Sequence, residues 1–208
     1  MQGELLPLFP LEVVLFPRTS LALHIFEERY RQLVADVVAA QSEFGIVLAR
    51  EQGIVNVGCT ATVEMITRRY EDGRLDILTR GRRRFEIRTL DDEKPYIRAS
   101  VEIFDDDDFT DPPPQLKDHA LSACLALRDA VSEQGPEPEL DDPQLSFQLA
   151  QVLPDLDFLQ VLLRSRSEAE RLKMLAERVP AYVARARYVA QVRRTAPFNG
   201  HGRGRNQN

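Results

Sequence analysis

The sequence predicts an α+β fold in which a β-rich half precedes a helical half. Residues 4–104 consist mostly of short apolar runs and alternating segments, which are typical of strands. Residues 114–195 instead carry apolar side chains at helical spacing. Between them, DDDDFTDPPP disfavours helix and sheet because its carboxylates repel one another and its prolines lack an amide hydrogen. We therefore predict a β subdomain, a helical subdomain and a flexible tail at residues 1–108, 109–195 and 196–208.

The β-rich half opens with an apolar segment, Leu5–Leu15, that two prolines interrupt. Since proline cannot donate to a β-ladder, we expect an edge strand or an irregular strand there. Two further apolar runs predict short strands, and apolar residues at every third or fourth position predict an amphipathic helix between them. These elements are the strand Ser20–Ile25, the helix Glu27–Ala40 and the strand Phe44–Ala49.

A β-hairpin is the clearest local prediction in this half. Segments Ala61–Tyr70 and Arg74–Thr79 flank an Asp-Gly dipeptide at 72–73, which suits a type I′ turn because both turn positions need positive φ. With a two-residue loop, Arg69 faces Asp76 as an opposite-charge pair across the two strands. Alternating residues predict two more strands, at Arg84–Arg88 and Tyr96–Phe104.

The helical half divides at its prolines and glycines. A first apolar stripe, from Leu116 to Val131, ends before Gly135-Pro136. Asp155 is placed to cap a short helix through Leu163, and Ser167 with Glu170 forms the pattern of a capping box. The last helix contains Pro180, which predicts a kink or a break.

Composition narrows the classes of function. The net charge of −6 argues against a general nucleic-acid or membrane-surface binder, and no apolar run approaches the roughly 18 residues of a membrane span. The two cysteines, Cys59 and Cys124, are too few for a disulfide framework and indicate a reducing, cytoplasmic location. The three histidines are scattered, so we expect neither a metal nor a cofactor.

Several ordered motifs together carry a family resemblance. LPLFPLEVVLFP (Leu6–Pro17) and LALHIFEERYRQLV (Leu21–Val34) are followed in order by FGIVLA, VGCTATVEMI, DGRLDILTRGRRRFEI and YIRASVEIF. LSFQLAQVLP and SEAERLKML continue the pattern in the helical half. The chain resembles the N-terminal, substrate-binding domain of Lon proteases over roughly residues 5–180.

The resemblance implies a six-stranded pseudo-barrel of the PUA-like type with one helix, followed by a helical bundle. It also implies recognition of exposed or unfolded polypeptide, with a protease or a chaperone as a further candidate partner. The phosphate-binding GxxxxGK[ST] motif is absent from the sequence, and none of the three lysines lies in a serine-nucleophile motif. We therefore expect a non-catalytic binding module; catalytic groups converging from distant segments stay open as an alternative.

A partly open barrel suggests how such a module binds a peptide. An unpaired strand edge or an apolar groove can add an extended chain by backbone hydrogen bonds, with pockets that select side chains. We expect the proline-rich segment at 6–17 and the hairpin at 65–79 to line it. The candidate polypeptide-binding residues are Phe9, Leu11, Phe16, Met65 and Tyr70.

The arginine-rich region at 68–88 supports an alternative and a structural prediction. It carries eight arginines against four acids, so Arg82, Arg83 and Arg84 are candidates for binding an anion or RNA. Strand alternation divides these arginines between two faces, and few aromatic residues lie among them, so a nucleic-acid partner is the weaker hypothesis. We also expect Glu27 to form a structural ion pair with this run, through Arg84.

Overall fold

A computed structural model describes residues 5–195 of the chain, and their side chains as far as residue 193. The described residues form two compact units, one of residues 5–109 and 153–167, the other of residues 110–152 and 168–195. The expected tail at 196–208 lies outside the described residues. In chain order the elements are β1 Leu6–Leu11, β2 Ser20–Ile25, α1 Glu28–Ala40, β3 Phe44–Arg50, β4 Gly53–Arg69, β5 Leu75–Asp91, β6 Arg98–Phe104, α2 Pro114–Val131, α3 Leu145–Ala150, α4 Leu156–Arg164 and α5 Glu168–Thr195.

The first unit is built on one six-stranded mixed sheet, as the predicted fold class requires. The strand order is β2-β5-β4-β3-β1-β6, and β5 pairs with β6 as well, which closes the sheet on itself. The long strand β5 makes this possible because its first part pairs with β2 and its later part with β6. Strand β1 is parallel to β3 and antiparallel to β6, so the edge strand, one of the two alternatives that its prolines predict, is wrong. Among the strands of residues 5–195, β2 pairs with β5 alone.

A glycine in β5 allows the segment before β2 to approach this strand closely. The Gly81 amide donates to the Thr19 carbonyl at 2.9 Å, and its own carbonyl accepts from the Arg18 amide at 2.8 Å. A Cβ atom added to Gly81 would lie 2.0 Å from the carbonyl oxygen of Phe16. Only glycine fits there, and the contact holds the segment before β2 against β5.

The hairpin forms, but with a different turn and register from those predicted. Gly73 has positive φ whereas Asp72 does not, and the Gly73 amide donates to the Tyr70 carbonyl at 3.0 Å. Asp76 therefore pairs with Arg68 rather than Arg69. The physical reason is the loop: the Tyr70 amide donates to the Arg74 carbonyl at 3.0 Å, so residues 71–73 form the loop instead of 72–73, and the pairing beside it shifts by one residue.

Helix α4 belongs to the first unit, although the sequence places residues 109–195 in one helical subdomain. The Asp155 side chain caps it as predicted, accepting from the Phe158 amide at 3.0 Å. The buried Gln160 amide donates to the Val57 carbonyl of β4 at 2.8 Å. Arg84 of β5 donates to the Leu163 carbonyl at 3.2 Å. These bonds attach the helix to the sheet.

The second unit consists of α2, α3 and α5. Its core includes Leu127, Phe147, Leu172 and Leu175, each almost fully buried. Helix α5 continues through Pro180 as far as Thr195. Among the described residues, no helix combines the length and the apolar character needed to cross a membrane.

Candidate functional site

The outer edge of β2 offers backbone groups that β5 does not use. In an antiparallel ladder, alternate residues turn their amide and carbonyl groups toward the partner strand. The Gly81 amide bonds the Thr19 carbonyl, and the Thr79 hydroxyl donates to the Leu21 carbonyl at 2.9 Å. Thr19 and Leu21 therefore face β5, and the alternate residues, Ser20, Ala22 and His24, point their backbone groups away from it.

The side chains along this edge divide between two faces. Leu21 and Leu23 are half-buried and pack against the core of the first unit. Ser20, Ala22 and His24 are exposed on the opposite face. A strand added beside β2 would therefore find an apolar floor on one side and small or polar neighbours on the other.

On the outer face, an apolar row crosses three strands. Ala22 of β2 pairs with Leu78 of β5, which pairs in turn with Met65 of β4. Met65 is 53% exposed, and Phe26, just beyond the end of β2, is 61% exposed. Exposed apolar side chains beside a free strand edge are a combination that proteins usually avoid unless it serves binding.

A carboxylate fixes the aromatic side chains at the end of this row. Asp76 Oδ1 lies 2.6 Å from His24 Nδ1, and Asp76 Oδ2 accepts from the Tyr70 hydroxyl at 2.8 Å. The His24 ring meets Tyr70 edge-on, with centroids 5.7 Å apart, and lies 6.0 Å from Phe26 in a stacked arrangement. These contacts hold three aromatic rings in one cluster on the surface.

Electrostatics agree with an ionised carboxylate at the centre of this cluster. Hydrogen bonds from His24 and then from Tyr70 lower the pKa of Asp76. The hydrogen bond between the Tyr70 hydroxyl and Asp76 raises the pKa of Tyr70, and desolvation raises it further. The Tyr70 phenol therefore stays protonated and donates, while Arg68 covers its ring at 4.6 Å.

The structure separates the five predicted polypeptide-binding residues. Met65 lies on the outer face of β4, which β5 separates from β2, and Tyr70 follows β4 and contacts His24 of β2. Phe9 and Phe16 are 4% and 1% exposed, and both are core residues rather than groove walls. Leu11 is half-buried and packs against the same core. The prediction failed for the two phenylalanines because apolar residues of a proline-interrupted segment have the same sequence pattern whether they line a groove or fill a barrel.

The predicted ion pair between Glu27 and Arg84 is replaced by two others. Glu27 pairs with Arg29 at 2.8 Å, only two residues away. Arg84 is 1% exposed and pairs with Asp106 at 2.6 Å. A side chain so deeply buried is not available to an external anion, which removes Arg84 from the proposed anion site; Arg82 and Arg83 are exposed.

Sequence reasoning missed Ala22, Phe26 and the role of Asp76. His24 and Asp76 are 52 residues apart, and only the pairing of β2 with β5 brings them together. Phe26 could have been found from its position. It lies directly after a strand and before a helix, where the run of buried apolar side chains is interrupted. Among the described residues, no group of three or more metal-ligating side chains is close enough to hold an ion.

The fold and the site define an α+β protein whose closed sheet keeps one open strand edge. The family model for the ATP-dependent protease La (LON) substrate-binding domain matches residues 5–181. The chain belongs to this family.

Solved structures agree with this assignment. A crystal structure of a Lon N-terminal domain protein from Xanthomonas campestris aligns with a TM-score of 0.66 and 27% identity, covering 84% of this chain and 98% of that one. The N-terminal domain of Lon protease from the Mycobacterium avium complex aligns with a TM-score of 0.60, covering 87% and 98%. Its identity of 15% supports the fold alone.

The chain matches only a small part of the length of its Lon protease relatives. Lon proteases from Parabacteroides distasonis and Roseiflexus castenholzii are 28% identical over 112 residues and 33% identical over 110 residues. Each match covers 50% of this chain and 14% of the relative.

Proposed function

We propose that the chain binds extended segments of other polypeptides by adding them as a strand to the free edge of β2. The observation that carries this proposal is the unused backbone edge at Ser20, Ala22 and His24, with exposed Phe26 just beyond its end and exposed Met65 two strands away on the same face. The substrate-binding description of the family points to the same class of ligand. In this proposal the chain holds its ligand and performs no chemistry on it.

Strand addition recognises an extended backbone and apolar side chains rather than one particular sequence. Backbone hydrogen bonds to Ala22 and its neighbours are available to any extended chain, whatever its side chains. Alternate side chains of the ligand would pack on Leu21 and Leu23, so apolar residues at every second position are preferred. Such a pattern is typical of strands that are buried in folded proteins and exposed in unfolded ones. The entropy lost when an unfolded ligand becomes ordered keeps the affinity modest.

The decisive test is to remove one backbone donor at the edge. We expect Ala22→Pro to weaken binding of a labelled, casein-like unfolded polypeptide by about tenfold, since it removes the central amide and places a ring in the path of the ligand. The fold should be retained, because the Ala22 amide points away from β5 and proline is tolerated on an edge strand. Fluorescence anisotropy measures the affinity, and circular dichroism with a thermal melt checks the fold.

The matched control is Ala22→Val, which keeps the amide and has a higher strand propensity. It should bind with an affinity close to that of the unchanged protein. Equal affinity of the proline and valine variants would show that the edge is not used. Single-stranded RNA at low and high salt is the competing ligand; tight RNA binding that falls steeply with salt, without polypeptide binding, would replace this proposal by the anion hypothesis.

A further inference from the structure

The second unit carries opposite charges at its two ends. The loop at 133–142, between α2 and α3, has five acidic residues and no basic residue. The end of α5, at 181–195, has four arginines and no acidic residue. The loop lies beside α3, which packs near the first turn of α5, where Arg171 covers the Phe147 ring at 4.3 Å. The basic end lies roughly 20 Å or more further along the same helix, at 1.5 Å per residue.

Seven exposed charged side chains at the two ends form no ion pair with the described residues. Glu133, Glu137, Glu139 and Asp141 are exposed, as are Arg185, Arg187 and Arg193. Within residues 5–193, the ion pairs of the structure include none of these seven side chains. Because the two ends are so far apart, a single copy cannot neutralise one with the other.

The basic end also presents an apolar projection. Tyr188 is 66% exposed and Val189 is 39% exposed, next to each other on the solvent side of α5. Arg185 and Arg193 flank Val189 one helical turn away on either side, and Arg185 is also a neighbour of Tyr188. Tyrosine surrounded by arginine is typical of the residues that anchor protein interfaces. The aliphatic Val189 favours a protein partner over nucleic acid, because contacts to phosphate are made by charged and polar groups.

The acidic end contains a matching depression. A cavity of about 200 Å³ lies under the loop, with Leu125, Leu149 and Val152 among its apolar lining and Glu133 and Glu137 at its rim. It is smaller than the roughly 300–1,000 Å³ of typical small-molecule sites, so a single protruding side chain is a better match. Arg128 also lines it, but its guanidinium already donates to the Pro136 carbonyl at 3.0 Å.

We propose that two copies of this chain associate through their second units in opposite directions, with Tyr188 of each copy seated in the cavity of the other. Arg185 and Arg193 then face Glu133 and Glu137 across the interface. The pairing is isologous, because each copy contributes one apolar projection and one cavity to a two-fold dimer. Two small contacts predict a weak and reversible dimer, which salt weakens because the charges lie at the rim.

A charge-swap experiment on the full chain tests this arrangement. Reversing the helix end (Arg185→Glu with Arg193→Glu) or the cavity rim (Glu133→Arg with Glu137→Arg) should abolish the dimer seen by sedimentation at low salt. Mixing the two variants should restore a heterodimer, since each then offers the charge that the other lacks. Combining all four changes in one chain should restore the homodimer.

Two further variants separate the apolar contact from net charge. Tyr188→Ala should raise the dimer Kd by about tenfold or more, as expected for an interface anchor. Arg69→Glu with Arg82→Glu, on exposed residues of the first unit, changes the net charge by the same amount as the helix-end reversal and should leave the dimer intact. All these side chains are exposed, so the fold should be retained, which circular dichroism verifies.

Three outcomes overturn the proposal. The first is a chain that stays monomeric at low salt over the whole accessible range of protein concentration. The second is a dimer that none of the helix-end, rim or Tyr188 substitutions weakens. The third is a mixture of the two reversed variants that stays monomeric. If the monomer instead binds poly(U) RNA or acidic lipid vesicles, and loses this on reversal of Arg185 and Arg193, the basic end serves that ligand.

Discussion

Single buried charges decide much of the stability at the residue scale. Arg171 is fully buried, and its guanidinium donates to the Ser146 hydroxyl at 2.9 Å and to Glu168 at 2.8 Å. Burial raises the pKa of Glu168, while hydrogen bonds from Ser146 and the charge of Arg171 oppose the shift. Glu168 therefore depends on Arg171 to remain ionised inside the second unit.

Removing this guanidinium should be costly. We expect Arg171→Met to lower the free energy of unfolding by about 3–5 kcal/mol at neutral pH, because it leaves the Glu168 carboxylate buried and uncompensated. A carboxyl group whose pKa is raised by folding stabilises the fold below its ordinary value of 4.5 and loses this contribution as pH rises through the raised value. The loss should therefore shrink in acid. Urea unfolding followed by circular dichroism, at neutral and acidic pH, measures the loss of stability and its dependence on pH.

The double variant Arg171→Met with Glu168→Gln is the matched control. Glutamine keeps a side-chain oxygen that can accept the hydrogen bond that the Ser146 amide donates to Glu168 at 2.8 Å, but it carries no charge. It should recover part of the lost stability and show little pH dependence. An equal loss in both variants would assign the cost to packing rather than to the buried charge.

At the scale of elements, one buried arginine links helix α4 to the sheet. Arg84 donates to Asp106 and to the Leu163 carbonyl, and its guanidinium lies 4.8 Å from the Phe104 ring centroid. It therefore joins β5, the end of β6 and the end of α4. The planar guanidinium presents several N–H donors in a fixed geometry that the lysine ammonium lacks, so an Arg84→Lys change is not conservative here.

Loss of Arg84 should detach α4 and weaken the first unit. We expect Arg84→Met to cost about 3–5 kcal/mol, because Asp106 and a buried carbonyl lose their partner. The neighbouring Arg83 is the control: its side chain is exposed and meets Asp105 at 3.4 Å, so Arg83→Met should cost at most about 1 kcal/mol. Urea unfolding compares them, and a similar cost for both would contradict this role of Arg84.

Elements were predicted well where one period dominates the sequence. Strand β2 has the predicted bounds, and α1 begins one residue later than expected, because local apolar spacing is sufficient to define them. The pairing of Asp76 was off by one residue, because the loop contains residues 71–73 rather than 72–73, and an Asp-Gly dipeptide is compatible with either length. The His24–Asp76 contact of the site could not be predicted, because it depends on the pairing of two strands that are distant in the sequence.

At the scale of the whole molecule, each unit contains one buried cysteine. Cys59 lies in the first unit and Cys124 in the second, and they are 0% and 3% exposed. Burial raises the pKa of each thiol to about 12, so little thiolate exists at neutral pH. The two thiols therefore report separately on the opening of the two units.

Thiol labelling should follow unit unfolding. We expect neither cysteine to react with iodoacetamide in the native protein at neutral pH, and each to react when urea unfolds its own unit. Arg84→Met should shift labelling of Cys59 to lower urea, and Arg171→Met should shift Cys124. Peptide mass spectrometry distinguishes the sites. Parallel shifts of both cysteines in either variant would show that the units unfold as one.

The sequence by itself determined the fold class, the family and the approximate positions of most elements, because these follow from local periodicity and from motifs in fixed order. The tertiary structure alone decided that Phe9 and Phe16 fill the core, that Arg84 is buried beside Asp106, and that β2 keeps an open edge. Burial and strand order depend on which distant segments meet, and a local apolar pattern is the same in either case.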